Sequence, residues 1–145
     1  MRRLGPDGLP RIDRITDVYN AVSIASTLPF GGEDRAAYAS PPRLVRADGT
    51  EAFDTTAGGE AVVDHPEVGE VIWRDQVGIT CRRWNWRQCT RTGITQGTTS
   101  AVFILDVLDP LTDGDAHAAA DALTEGLLAL SPGATFHRRL LTHAG

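Results

Sequence analysis

The sequence predicts an α+β protein in which a mixed or antiparallel sheet is flanked by helices. Two segments with helical periodicity lie near the two ends of the chain. Between them come several short segments rich in β-branched and aromatic residues, separated by turn-forming Gly, Pro and Asp. This order, with a length of 145 residues, is typical of one α+β domain with its own core, so we expect a single domain over residues 1–145.

The first helix is predicted from apolar residues that recur at three- and four-residue spacing and so share one face. Asp13 is the expected N-cap, and Leu28-Pro29 should end the helix because the residue before a proline resists helical dihedrals. The stripe consists of Ile12, Ile15, Val18, Tyr19, Val22 and Ala25. The following PFGGED (29–34) is predicted to be a tight turn with exposed backbone amides.

The middle of the chain favours strands. Residues 43–54, RLVRADGTEAFD, predict a hairpin that turns at Asp48-Gly49. The glycines and proline of residues 57–70 indicate a surface loop. Short strands are then expected at 70–75 and 78–86.

The end of the chain combines a strand and a helix. Residues 98–108, TTSAVFILDVL, form the most apolar strand, which we expect to lie centrally in a sheet. A second helix over about 115–130 is predicted, capped by Asp113 or Asp115 and stopped by SPG. The tail beyond it is expected to be a last strand or to be frayed.

Composition restricts the function classes. The chain lacks a secretory h-region and a long apolar run, so a cytoplasmic protein without membrane contact is expected. Two cysteines, Cys81 and Cys89, fit neither a disulfide scaffold nor a zinc site, so no metal and no cofactor are predicted. Cys81 is expected to face the sheet interior or a neighbouring strand, and Cys89 is expected to be exposed.

Charge is distributed unevenly. The net charge of −5 argues against a general nucleic-acid coat, yet residues 74–91 contain five arginines and one acid. All fourteen cationic side chains are arginine, whose planar guanidinium suits phosphate, carboxylate or an aromatic face.

The segment RRWNWRQ (82–88) is the centre of that positive charge. On a strand, Arg82, Trp84 and Trp86 would share one face, with both tryptophans buried. The opposite face would be polar and cationic. Its side chains, together with Arg82, are candidates to bind phosphate or carboxylate: Arg83, Asn85, Arg87 and Gln88. Alternatively, these arginines are solvated or stack across the sheet.

Two further positions are candidate binding residues. Asn20 could reach the edge of a pocket, or could make a buried hydrogen bond to a loop. Glu33 follows the pair Gly31-Gly32, and could bind an α-amino group beside the glycine amides, or could be a solvated acid or pair with an arginine.

Four segments occur in a recognisable order: DVYNAVS (17–23), LPFGGED (28–34), GEV near residue 70, and CRRWNWRQ (81–88) with Thr92 and Thr95 beyond it. Together they resemble the free-standing form of the B3/B4 domain, the editing domain of the phenylalanyl-tRNA synthetase β subunit. The resemblance runs over about residues 9–108.

The resemblance implies an α+β fold, tRNA or aminoacyl-tRNA as partner, and hydrolysis of mischarged aminoacyl-tRNA as a possible activity. A positioned water would then be the nucleophile, with Arg83, Asn85 and Gln88 as oxyanion donors and Glu33 on the amine. The histidine and glutamate of the synthetase form have no counterparts here, so catalytic residues are not assigned. The resemblance also suggests a shortened N-terminus.

Two alternatives to hydrolysis stay open. The first is a non-catalytic module that binds RNA or a free amino acid. The second is an incomplete domain without activity.

Overall fold

The computed structural model describes residues 13–141 and shows an α+β fold, as predicted. The helices are α1 (Arg14–Ser26) and α2 (Asp113–Leu130). The strands are β1 (Phe30–Asp34), β2 (Arg43–Arg46), β3 (Phe53–Ala57), β4 (Glu60–Asp64), β5 (Val71–Arg74), β6 (Ile79–Arg82), β7 (Arg87–Gln88) and β8 (Ala101–Leu105), and a 3₁₀ turn covers Arg35–Ala37.

All strand pairs in the described residues are antiparallel. β1 pairs with β8, β3 pairs with β4, and a four-stranded sheet has the order β2-β5-β6-β7. The hairpin predicted over 43–54 is therefore wrong, because β2 pairs with β5 and β3 pairs with β4 instead. The predicted loop over 57–70 is wrong in the same way, since it contains β4, which follows a turn at Gly58 and Gly59 with φ of 60° and 86°.

Two other strand predictions need correction. PFGGED is not an exposed turn but the buried strand β1, since Gly31 and Gly32 allow close packing on both of its faces. β8 is not central in a sheet, because β1 is its partner strand among residues 13–141.

The helix signals were local and mostly accurate. Asp13 caps α1 by accepting the Thr16 N–H at 2.8 Å. The cap of α2 is Thr112 rather than Asp113 or Asp115, and Asp115 completes a capping box as its third residue. Residues 131–141 contain no helix or strand, and the end of the predicted tail lies outside the described residues.

The described residues form two separate hydrophobic cores. The first joins the helices to the β1–β8 ribbon through Tyr19, Leu28, Phe30, Ala119, Leu123 and Leu127. The second joins the four-stranded sheet to β3 through Ala47, Phe53, Ile72, Ile79 and Cys89. Cys89 is only 3% exposed, so its predicted exposure is wrong. No described helix is both long and apolar enough to cross a bilayer.

Asp75, at the end of β5, ties three parts of the chain together. It accepts two hydrogen bonds from Arg91, at 2.9 and 3.0 Å, and three more from the main-chain N–H groups of Ala39, Val77 and Gly78. Burial raises the pKa of this carboxyl, but the Arg91 bonds and the N–H donors outweigh burial and lower the pKa to about 2.

This lowered pKa predicts a pH-dependent stability. The folded pKa lies below the unfolded value, so the Asp75 contribution is complete above about pH 4 and is lost as the pH falls toward 2. A shift from 3.8 to about 2 corresponds to about 2.5 kcal/mol. We expect Asp75→Asn to lower the unfolding free energy at pH 7 by about that amount, and to flatten its decline between pH 4 and 2. Urea unfolding at a series of pH values measures the free energy of unfolding and its dependence on pH. If this free energy falls equally steeply in both proteins between pH 4 and 2, the lowered pKa of Asp75 is contradicted.

Candidate functional site

The segment RRWNWRQ forms the end of a hairpin and not one continuous strand. β6 ends at Arg82, and residues 83–86 form a four-residue connection to β7, which we call the Arg–Trp tip. Arg83 and Trp84 have left-handed backbones, with φ of 46° and 62°. Because this turn interrupts the strand alternation, the predicted burial of both tryptophans is wrong, and Trp84 and Trp86 are 41% and 55% exposed.

Asn85 anchors the tip from below. Its Nδ2 donates to the Asp106 carboxylate at 2.9 Å and to the Ile104 carbonyl at 3.2 Å, which ties the tip to β8 and its continuation. The Asn85 carboxamide oxygen and the Gln88 side chain lie directly over Gly31, where a Cβ would overlap Asn85. The inward position of Asn85 leaves its two tryptophan neighbours directed outward.

The side chains of the three arginines in this segment have different partners. Arg82 is buried and forms ion pairs of 2.7 Å with Glu70 and Asp64. The exposed Arg83 lies over the Trp86 ring, with its guanidinium carbon 4.9 Å from the ring centroid.

Arg87 is directly opposite Arg82 in the β6–β7 pair but has a different partner. It is exposed and donates to the Thr56 carbonyl at 3.0 Å. The structure therefore brings Gly31, Asn85 and Gln88 together and leaves the guanidinium groups outside the space above the glycines.

Glu33 is a buried acid held by hydroxyl groups. Its side chain accepts from Thr92 at 2.6 Å and from the Tyr38 hydroxyl, and among residues 13–141 it forms no ion pair. Burial raises the pKa of Glu33, and the hydroxyl donors of Thr92 and Tyr38 reduce this effect only in part. Thr80 also lowers the pKa from nearby, although its buried hydroxyl has no partner at hydrogen-bond distance and angle.

Three further buried side chains lie near Glu33 or Asn85, and of these the sequence singled out Cys89 and Thr92 but not Asp106. Cys89 approaches Thr92, with 3.1 Å between sulfur and hydroxyl oxygen, and burial raises the pKa of the Cys89 thiol. Asp106 is 8% exposed, and burial raises its pKa as well. An acid directly after the apolar run AVFIL is a signal that could have identified Asp106 in advance.

The two other predicted residues are placed on the helical side. Gly32 packs against α1 and β8, since a Cβ there would lie 2.9 Å from Tyr19 and 3.0 Å from Phe103. Asn20 is half-buried on α1, and no hydrogen bond connects it to the tip in the described part of the chain. The described residues also contain no cluster of His, Cys, Asp or Glu suited to a metal ion.

The fold and this geometry define an α+β domain in which a diglycine strand packs under a hairpin with an exposed arginine-tryptophan tip. A family model of the B3/4 domain matches residues 1–124. The chain therefore belongs to the B3/4 domain family, which is associated with the β subunit of phenylalanyl-tRNA synthetase. This confirms the resemblance seen in the sequence motifs. Neither a search of curated proteins nor a search of solved structures found a match.

Proposed function

We propose that this protein is an RNA-binding domain that holds the single-stranded acceptor end of a tRNA against the Arg–Trp tip. The observation that carries the proposal is the exposure of two neighbouring tryptophans, Trp84 and Trp86, on an anchored turn. The family association with a tRNA synthetase subunit supports the choice of RNA as the ligand.

The tip has the physical features of a base-stacking platform. Left-handed backbones at non-glycine residues cost of order 1–3 kcal/mol each and persist where the surrounding structure enforces them. Here the Asn85 hydrogen bonds enforce a turn that exposes large apolar rings. Unpaired bases stack on such rings, and an arginine beside them supplies a positive charge for the phosphates. Arg83 stacked on Trp86 provides that charge.

We expect Trp86→Ala and Trp84→Ala each to weaken the binding of a short single-stranded RNA ending in CCA. Loss of one stacked base costs about 1–3 kcal/mol, which is about 5- to 150-fold in Kd. Fluorescence anisotropy with a labelled RNA measures the affinity. Arg83→Ala should also reduce the dependence of the affinity on salt concentration.

Ile24→Ala is the matched control, because Ile24 is 51% exposed on α1, away from the tip. It should leave the affinity unchanged. If both tryptophan variants bind the RNA as the wild type does, the tip is not the RNA site.

Hydrolysis of mischarged aminoacyl-tRNA is a second candidate function. It is favoured by two buried acids with raised pKa values, Glu33 and Asp106, near Gly31, since such groups are common at active sites. Incubation with labelled tyrosyl-tRNA tests it. If the wild type releases tyrosine and Glu33→Gln does not, the result supports hydrolysis. If the wild type releases no more tyrosine than buffer alone, hydrolysis is excluded and the RNA-binding proposal is unaffected.

A further inference from the structure

A cavity of about 440 Å³ lies beside β2 and β5, away from the diglycine strand. This volume is within the range of small-molecule sites, about 300–1,000 Å³. Its charged lining consists of three arginines and three acids: Arg43, Arg46, Arg74, Asp48, Glu51 and Asp75.

The carboxylates of this lining are already occupied. Asp75 binds Arg91 and three main-chain N–H groups, as described above. Glu51 is buried and accepts the main-chain N–H groups of Asp48 and Gly49. Asp48 accepts the N–H and the hydroxyl of Thr50, at 2.8 and 2.6 Å. The acids therefore need no cation from solution.

The arginines keep most of their donors free. The side chain of Arg43 makes no hydrogen bond or ion pair with any other residue in the range 13–141. Arg46 uses one N–H on the Gly69 carbonyl at 3.1 Å. Arg74 makes only long contacts, 3.5 Å to Glu51 and 3.3 Å to a main-chain oxygen. Since each guanidinium has five N–H donors, the cavity offers many donors and few free acceptors.

Strand register places two of these cations together. Arg43 and Arg74 are directly opposite partners in the β2–β5 pair, and both line the cavity. Like charges at directly opposite positions destabilise a sheet. An anion bound between them would remove this repulsion and fill the unused donors.

We propose that the cavity binds a phosphate group through Arg43 and Arg74. Guanidinium groups bind phosphate through two parallel N–H donors each, which suits a tetrahedral anion with several oxygens. The phosphate could belong to a small phosphorylated metabolite or to an RNA backbone. The site is separate from the Arg–Trp tip and does not depend on it.

Titration calorimetry with inorganic phosphate, at ionic strength held constant with sodium chloride, tests the proposal. We expect binding by the wild type, and at least about tenfold weaker binding by Arg43→Gln and by Arg74→Gln. Arg138→Gln, which changes an exposed arginine outside the cavity, is the control and should bind phosphate normally. Phosphate should raise the melting temperature of the wild type and the control, but not of the two cavity variants.

Equal phosphate affinity in all four proteins would overturn the proposal. An absence of binding by the wild type at a phosphate concentration on the order of 50 mM would also overturn it. The source of the phosphate follows from competition. Displacement of phosphate by single-stranded RNA without terminal phosphates would identify a backbone phosphate, whereas displacement only by a nucleoside monophosphate would identify a small molecule. The double variant Trp84→Ala/Trp86→Ala should still bind phosphate, so failure of the RNA proposal would be distinguishable.

Discussion

Replacing Arg82 with methionine is expected to lower the free energy of unfolding by about 3–5 kcal/mol, because it leaves a buried carboxylate without its counter-charge. Nε and Nη2 of Arg82 donate to the two carboxylate oxygens of Glu70, each at 2.7 Å. The side chains of both residues are only 7% exposed. Urea unfolding followed by circular dichroism measures the change.

The residues around Arg82 do not compensate Glu70 for the loss of the guanidinium. Nη1 donates to Asp64 at 2.7 Å, but Asp64 is 59% exposed and can be hydrated instead. Arg83 lies 3.7 Å from Glu70 and is itself exposed, so it can replace only part of the lost attraction. The guanidinium also lies 5.6 Å from the Phe53 ring centroid, a contact that methionine would retain as packing.

Two variants distinguish the ion pair from general damage. Arg87→Met changes an exposed arginine of the same hairpin and should stay within about 0.5 kcal/mol of the wild type. Adding Glu70→Gln to Arg82→Met should recover part of the loss, because the buried charge is then removed. If Arg82→Met costs less than about 1 kcal/mol, Glu70 is not desolvated as the geometry indicates, and Arg82 returns as a candidate ligand-binding residue.

The sequence predicted the helices well because their signals are local. The Asp13 cap and the apolar stripe that includes Tyr19 each depend on residues that are close together in the sequence. Strand partners are set by contacts between distant residues. Asp48-Gly49 is typical of a hairpin turn, but the Glu51 carboxylate accepts the main-chain N–H groups of Asp48 and Gly49. The strands on either side do not pair with each other, because β2 pairs with β5 and β3 pairs with β4.

The candidate site was predicted in composition but not in arrangement. The residues near Gly31 include two predicted amides, Asn85 and Gln88, whereas the predicted guanidinium groups point to other partners. Strand alternation failed at Arg83 because nothing in an arginine-tryptophan pair signals a left-handed backbone, a conformation that non-glycine residues adopt uncommonly. The partners that impose it lie about twenty residues away, on β8 and at Asp106.

Gly31→Ala is expected to lower the free energy of unfolding by about 1–3 kcal/mol and to displace the Arg–Trp tip. The new methyl group would overlap the Asn85 carboxamide oxygen and would lie 2.9 Å from Gln88 Nε2. Asn85 can move only by giving up its bonds to Ile104 and Asp106, which would leave a buried carboxyl without its partner. The tip would then lose the anchor that keeps its tryptophans exposed.

Gly97→Ala is the matched control, because its Cβ would make an ordinary 3.7 Å contact and would leave the tip untouched. Urea unfolding gives the stability of each variant. Quenching of tryptophan emission by acrylamide reports the exposure of Trp84 and Trp86 above a contribution from the half-buried Trp73, which should be the same in each variant. We expect Gly31→Ala to change both quantities and to weaken RNA binding, and Gly97→Ala to change none of them. Should Gly31→Ala unfold at the wild-type urea concentration with unchanged quenching, the hairpin is not packed on the diglycine strand, and the anchored tip that supports RNA binding is not held as the geometry requires.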